Sequence, residues 1–441
     1  MKRYIDTILL KWKNEKRRKP LVIRGARQVG KTYSVEYFGT TQFENFVKVD
    51  FENERSVHKI FEGDLQIEKL VLQLEANYEP RILPGKTLLF FDEIQECPRA
   101  LMAMRYFYEQ LPELHLIAAG SLLEFALGEQ SFPVGRVRFE WLRPMGFEEF
   151  LLATGKEMLA EYLPDLETTT TIPELIHEKL IEQLRYYFFV GGMPEAVNVF
   201  ADSFSPAEVV LIHKELWQSY LQDFAKYQKR IDRDCVEHIF TQILGRVGQR
   251  IIYASLYPEK RIETIKTCLH LLELMLIIQR VHSSHAQGLP LGADVSPKIF
   301  KTIFLDIGLM QHFCEISTPD LLNEKELLNI YRGALAEQFV GQQLLLYGGS
   351  ENDRLFYWDR PKKSSSAEVD YLIVCQGEII PIEVKSGSPG KLKSMSIFFN
   401  EHKYSKIGLV LHSGNIKTEA AFGLKYMPIY TKLTKNKPLK I

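Results

Sequence analysis

The chain has 441 residues, too many for one ordinary core, and its 46% hydrophobic and 25% charged composition excludes a disordered or fibrous protein. Lys plus Arg (55) nearly cancels Asp plus Glu (56), so no global positive field draws in nucleic acid, and any such contact must use a local patch. Five cysteines, Cys97, Cys235, Cys268, Cys314 and Cys375, lie far apart without a CxxC pair, which argues against a zinc ribbon or a disulfide framework and fits a reducing cytoplasm.

The opening MKRYIDTILLKWKNEKRRK reads as an amphipathic helix, without the apolar core or cleavage site of a signal peptide. PLVIRG then forms a short apolar run, and GARQVGKT, from Gly25 to Thr32, matches GxxxxGK(S/T). Phosphates need several backbone N–H groups aimed into one concavity, followed by a helix N-terminus that favours negative charge. Gly25, Ala26, Arg27, Gln28, Val29 and Gly30 supply the loop, Lys31 reaches the β and γ phosphates of ATP, and Thr32 ligates Mg²⁺. The following YSVEYF continues as the helix, so strand, loop and helix arrive in the required order.

TLLFFDEIQ reads as a buried parallel strand ending in Asp92 and Glu93. The aspartate would hold Mg²⁺ through water and Glu93 would orient or deprotonate the attacking water, which makes the site a hydrolysing one. NFVKVDFE and HLIAAGS read as further strands, giving the βα alternation of a parallel sheet covered by helices. Ser121 ends the second of these and is either a turn residue or a sensor of the γ phosphate. Arg136, in PVGRVRFEWLRP, is either a surface arginine or a finger that reaches a neighbouring subunit's ATP, and the second role requires a homo-oligomer.

From Pro144 the pattern turns helical, with GFEEFLLATGKEMLAEYL carrying apolar residues at three and four spacing. The threonine run near Thr168 and the polar run near Ser364 are loop candidates, and RYYFFVGGMPEAVNVF marks a tight turn between helices. The stretch from VEHIFTQIL to IIQRVHS predicts two helices, a turn, a third helix and a strand, the succession of a winged helix-turn-helix. Lys260, Arg261 and Lys266 lie near its recognition helix and either contact DNA or form a solvated face. PKIFKTIFLDIGLMQHF adds a strand and a helix. The most apolar later stretch, Leu271 to Ile278, contains Glu273 and falls short of the roughly 18 apolar residues a bilayer span needs, so no membrane segment is expected.

The last block carries a second constellation. GALAEQFVGQQLLL is helical with Glu337 inside, AEVDYLIVCQG is a strand bearing Asp370, and EIIPIEVKSG is a strand bearing Glu383 and Lys385. Residues two apart on a strand share a face, and a hairpin around Gly377 would bring Asp370 alongside Glu383 and Lys385. Carboxylates so grouped can bind Mg²⁺ or Mn²⁺ to polarise a phosphate, while the lysine positions a water; Glu337 could add a ligand. This resembles the PD-(D/E)xK arrangement of restriction-endonuclease-like folds, with Val369 in place of the nominal proline. Either the site cleaves DNA or RNA, or Glu383 and Lys385 form an ion pair in a non-cleaving fold.

With GARQVGKT, LLFFDEIQ, AAGSLLE, VGRVRF, VGGMPEAV, LDIGL, RGALAEQFV and EVDYLI followed by PIEVKSG in order, the whole chain resembles the prokaryotic AAA-type predicted ATPases whose C-terminal half is the domain of unknown function 4143. The resemblance implies a cytoplasmic α/β chain in three parts. They are an AAA-type P-loop ATPase domain over 1–145, a helical lid and winged-helix region over 146–330, and a restriction-endonuclease-like α/β domain over 331–441.

Overall fold

A computed structural model describes residues 1–121, 135–226, 232–314, 332–348, 354–360, 367–386, 392–419 and 423–434. The chain divides into two compact units, Met1–Arg143 and Pro144–Ile441. No helix among the described residues is long and apolar enough to cross a membrane.

The first unit opens with helix α1 (Tyr4–Lys13), which buries Ile5, Leu9 and Trp12 at the three-to-four spacing of one helical face. Among the described residues five parallel strands follow: β1 (Leu21–Arg24), β2 (Asn45–Asp50), β3 (Thr87–Asp92), β4 (His115–Gly120) and β5 (Arg138–Trp141), in the order β2-β3-β4-β1-β5. The unbroken apolar runs TLLFFD and HLIAAG form the inner strands β3 and β4 and are buried throughout. At the edge, β2 buries only alternate residues, as a strand covered less fully should. Helices α2 (Lys31–Gln42), α3 (Ile67–Asn77) and α4 (Pro98–Gln110) supply the crossovers. Phe51, Phe61, Phe91 and Phe107 meet edge-to-face in the core beneath. Because every strand runs the same way, the C-terminal ends of β1, β3 and β4 lie side by side at one edge, where open α/β sheets bind ligands.

Among the described residues the second unit contains a nine-stranded mixed sheet, its strands numbered in chain order, in the order β13-β14-β12-β11-β10-β9-β7-β8-β6. Its first part is the helix Arg233–Leu244, β6 (Ile251–Ile252), a short helical turn Tyr253–Leu256, the helix Ile262–Leu274, β7 (Ile278–Ser284) and β8 (Val295–Phe304). The sequence pattern predicts these helices and β7 but not the two-residue strand β6, which is too short to carry a period of its own. The second part is the helix Arg332–Gly348, β9 (Leu355–Asp359), β10 (Glu368–Cys375), β11 (Glu378–Val384), the helix Lys393–Glu401, β12 (Gly408–His412), β13 (Lys417–Glu419) and β14 (Leu424–Pro428). Strand β7 pairs in parallel with β9, so one sheet runs through both parts. β10 and β11 form the expected hairpin, with Gln376 (φ 50°) and Gly377 (φ 82°) as its two turn residues; two consecutive positive φ values match the twist of the flanking strands.

The stretch GFEEFLLATGKEMLAEYL is two helices, Phe147–Ala153 and Glu157–Ala160, interrupted at Gly155. The threonine run forms a loop in which the Thr168 hydroxyl donates to Asp165 at 3.0 Å. The polar run around Ser364 lies outside the described residues.

Candidate functional site: a phosphate loop and a carboxylate cluster

Gly25 follows β1 directly, and a Cβ built there would lie 2.3 Å from the Leu142 carbonyl oxygen, so no side chain fits. The loop closes at Gly30 (φ 90°), a left-handed position that glycine adopts freely, and α2 begins at Lys31. Lys31 is 6% exposed, and its ammonium donates to the carbonyls of Gly25 (3.0 Å) and Ala26 (2.8 Å). Burial lowers its pKa to about 8 against the opposing pull of Glu93 and Asp92. The charge therefore rests on neutral oxygens within the loop.

The Thr32 hydroxyl donates to both oxygens of Asp92, at 2.9 and 3.1 Å. Sixty residues separate the two, and the adjacency of β1, β4 and β3 brings them together. Burial raises the Asp92 pKa, opposed by Lys48 and by the Thr32 hydroxyl. A threonine hydroxyl and a buried carboxylate converging at the head of α2 fit a hard, oxygen-seeking cation such as Mg²⁺, which takes few protein ligands and fills its shell with phosphate and water. Glu93 sits at φ 48°, its amide donating to Asp92 at 3.1 Å and its carboxylate accepting from Gln95 at 2.5 Å. Ser121 comes directly after β4, at the strand-end edge between the loop after β1 and the end of β3. Arg136 stands on the surface, donating to Glu109 at 2.9 Å, and Glu109 also accepts from Arg105.

Sequence reasoning missed Lys48. Its ammonium lies 3.2 Å from Asp92 and 2.9 Å from Glu36. The available signal was its i, i+2 relation to Asp50, whose register partner across β2 and β3 is Asp92, so all three share one face of the sheet.

In the second unit Glu337, Asp370, Glu383 and Lys385 lie close to one another. Asp370 Oδ2 accepts from the Val384 amide at 2.8 Å, and Lys385 donates to Glu383 Oε1 at 2.6 Å. Glu383 is 7% exposed, and its Oε2 is buried without a hydrogen-bond partner. Burial, then the neighbouring Asp370, pushes its carboxyl pKa up. The feature absent from the sequence reading is Lys301 of β8. It is 3% exposed, and its ammonium lies 3.0 Å from Glu337, 2.5 Å from Glu368 and 3.9 Å from Asp370. Its one signal was a lysine inside the apolar run KIFKTIF. Among the described residues no three His, Cys, Asp or Glu side chains are grouped to hold a metal ion, and with Lys301 seated between them the carboxylates do not fit a divalent cation.

The basic residues of the helical part are largely engaged by their own unit. Lys260 pairs with Asp232 at 2.6 Å and Lys266 lies 5.4 Å from the centre of the Tyr253 ring, while Arg261 stands at the N-cap position of the helix Ile262–Leu274 without a side-chain capping bond.

Residues 17–151 match the family model described as an AAA domain, and residues 332–431 match Domain of unknown function (DUF4143). The chain joins an AAA domain to a DUF4143 domain. Between them, residues 181–320 match Domain of unknown function (DUF8612). No curated protein matches the chain. Among solved structures, C. elegans PCH-2 is similar at 15% identity and a TM-score of 0.25, over 46% of this chain and 62% of that one. The Thermotoga maritima RuvB Holliday junction branch migration motor is similar at 12% identity and a TM-score of 0.29, over 66% of this chain and 90% of that one. The chain thus spans less than two thirds of the nematode protein, and at these scores neither likeness bears on function.

Proposed function

We propose that the AAA domain binds MgATP at Gly25–Thr32 and hydrolyses it, and that its nucleotide state acts on the second unit. The carrying observation is the contact of Thr32 with Asp92 at 2.9 Å beside a buried Lys31. Gly25, Ala26, Arg27, Gln28, Val29 and Gly30 present their backbone to the phosphates, and Lys31 leaves the carbonyls of Gly25 and Ala26 for the β and γ oxygens. Thr32 and Asp92 hold Mg²⁺, which when bound neutralises charge developing between those phosphates. Glu93, steered by Gln95, orients the attacking water, and Ser121 senses the γ phosphate. Arg136 exchanges Glu109 for the ATP of a neighbouring copy in a cytoplasmic homo-oligomer.

The test is ATP binding and turnover by the full chain. Lys31→Ala weakens ATP binding by roughly 10- to 100-fold through loss of charge-assisted contacts. Glu93→Gln keeps binding and lowers kcat by about 100-fold or more, as loss of a general base does. Wild-type turnover in both variants sinks the reading. In the same assay Arg136→Ala mixed with Glu93→Gln recovers activity at shared interfaces; no recovery at any ratio removes the finger.

For the second unit, segment 146–330 is read as a helical and winged-helix module and 331–441 as a nuclease-like module, together binding DNA or RNA under control of the ATPase. A second reading makes the nuclease-like module a non-cleaving docking domain of a regulatory switch. Lys301, within 3.9 Å of three carboxylates, favours this second reading.

A further inference from the structure

Lys301 enters the C-terminal cluster from β8, which belongs to the preceding part of the sheet, and not from the strands that carry the other charged groups. Glu368 and Asp370 are two apart on β10 and so present their carboxylates to one face, while Glu337 reaches the same place from the helix Arg332–Gly348. The ammonium stands among all three, with the Tyr357 ring centre 5.3 Å away.

We propose that Lys301 is the resident cation of this cluster: a side chain takes the place that a divalent ion holds in nuclease-like sites, and the cluster takes up no metal while β8 keeps its register. The proposal deepens the second reading above.

The charges and the oxygens both support it. Glu337 Oε2 and Glu368 Oε1 face Lys301, Asp370 Oδ2 is held by the Val384 amide, and Glu383 Oε1 by Lys385. Arg250 binds the remaining oxygen of Glu368 and joins it to Asp359 at 2.8 Å. Glu383 Oε2 is buried without a hydrogen-bond partner, but a cation placed there would have to share Glu337 and Asp370 with the Lys301 ammonium. A dication brought beside the buried ammonium would meet direct repulsion in a medium that screens little. The backbone that carries Lys301 is held in place. β8 is paired on both edges, with β7 and with β6, and sliding it by one residue would turn every side chain to the other face.

The experiment follows Mn²⁺ binding to the nucleotide-free full chain by electron paramagnetic resonance, with Asp92→Asn as background so that the phosphate loop takes no metal. With Lys301 intact, no stoichiometric Mn²⁺ is bound at millimolar concentration. Lys301→Met binds one Mn²⁺ per chain, and adding Glu383→Gln abolishes that binding. Glu383-dependent uptake by the Lys301-intact protein overturns the proposal. A folded Lys301→Met that still binds no Mn²⁺ also overturns it, because the lysine is then not what excludes metal. If Lys301→Met fails to fold, Lys301→Gln takes its place in the same comparison, with the same two outcomes. Cleavage of labelled DNA and RNA, measured separately, tests the second reading, so the two can fail independently.

Discussion

Lys31 and Lys301 are both buried ammonium groups, and the oxygens around them set them apart. Lys31 rests on two neutral carbonyls and its pKa falls to about 8, so a phosphate that offers negative charge at the same place improves its surroundings. Lys301 lies among carboxylates, chiefly Glu337, and these raise its pKa above the usual lysine value despite burial. The first was legible in the sequence because loop, lysine and threonine are adjacent in the chain. The second was not, since its partners lie 36 and more residues away, across strands whose pairing no local pattern specifies. Asp306 is a third buried charge, 0% exposed, accepting from the amides of Gly192 at 2.6 Å and Leu309 at 3.0 Å. Burial outweighs those bonds and raises its pKa to about 6. The folded protein therefore keeps a proton between about pH 4 and 6 that the unfolded chain has lost, and the stability this brings at low pH is lost as pH rises through about 6. Denaturant unfolding of wild type minus Asp306→Asn should fall by on the order of 3 kcal/mol across that window. A difference that stays flat would mean that Asp306 is ionised throughout.

Two sequence motifs without catalytic chemistry turn out to be one structural joint. VGGMPEAV and LDIGL lie over a hundred residues apart, and the Asp306 carboxylate of the second caps the helix Ile307–Phe313 while holding the backbone of the first. The helices themselves were readable from their periodicity, but their contact was not. At this joint a Cβ on Gly192 would lie 2.0 Å from the Met145 oxygen, a backbone atom that cannot swing away. Gly192→Ala should cost more than about 2 kcal/mol, as overpacking against fixed atoms does. Gly245, at the end of the helix Arg233–Leu244, has nothing within 4 Å of a built Cβ and an ordinary φ of −72°, so Gly245→Ala should be neutral or stabilising by about 0.4–1 kcal/mol. Urea midpoints of the two variants check this pair. Equal midpoints would mean that the backbone at Gly192 can shift and that the joint is loose.

At the scale of the whole molecule, the sequence made the order of parts readable, because phosphate-loop spacing, helical periodicity and strand alternation each change along the chain. It could not reveal that the strands after residue 331 continue the sheet of the strands before it. That junction is the parallel pair β7 and β9, with Val281 opposite Leu355 and Ser284 opposite Trp358, and parallel register between distant segments leaves no sequence period. The junction has a consequence for how the second unit can be divided. A fragment beginning at 332 would leave one edge of β9 unpaired, exposing backbone groups that β7 satisfies, and edges of that kind recruit other chains. It would also leave Glu337, Glu368 and Asp370 without Lys301, and removing one partner from a buried charge cluster costs about 3–5 kcal/mol. Residues 332–441 expressed alone should therefore be insoluble or fail to melt cooperatively, whereas 144–441 should be soluble with a single cooperative transition. Soluble yield and thermal melting by circular dichroism compare the two. A monomeric 332–441 with a sharp transition would show that β9 does not need β7, and would remove the shared sheet as the reason Lys301 stays in place.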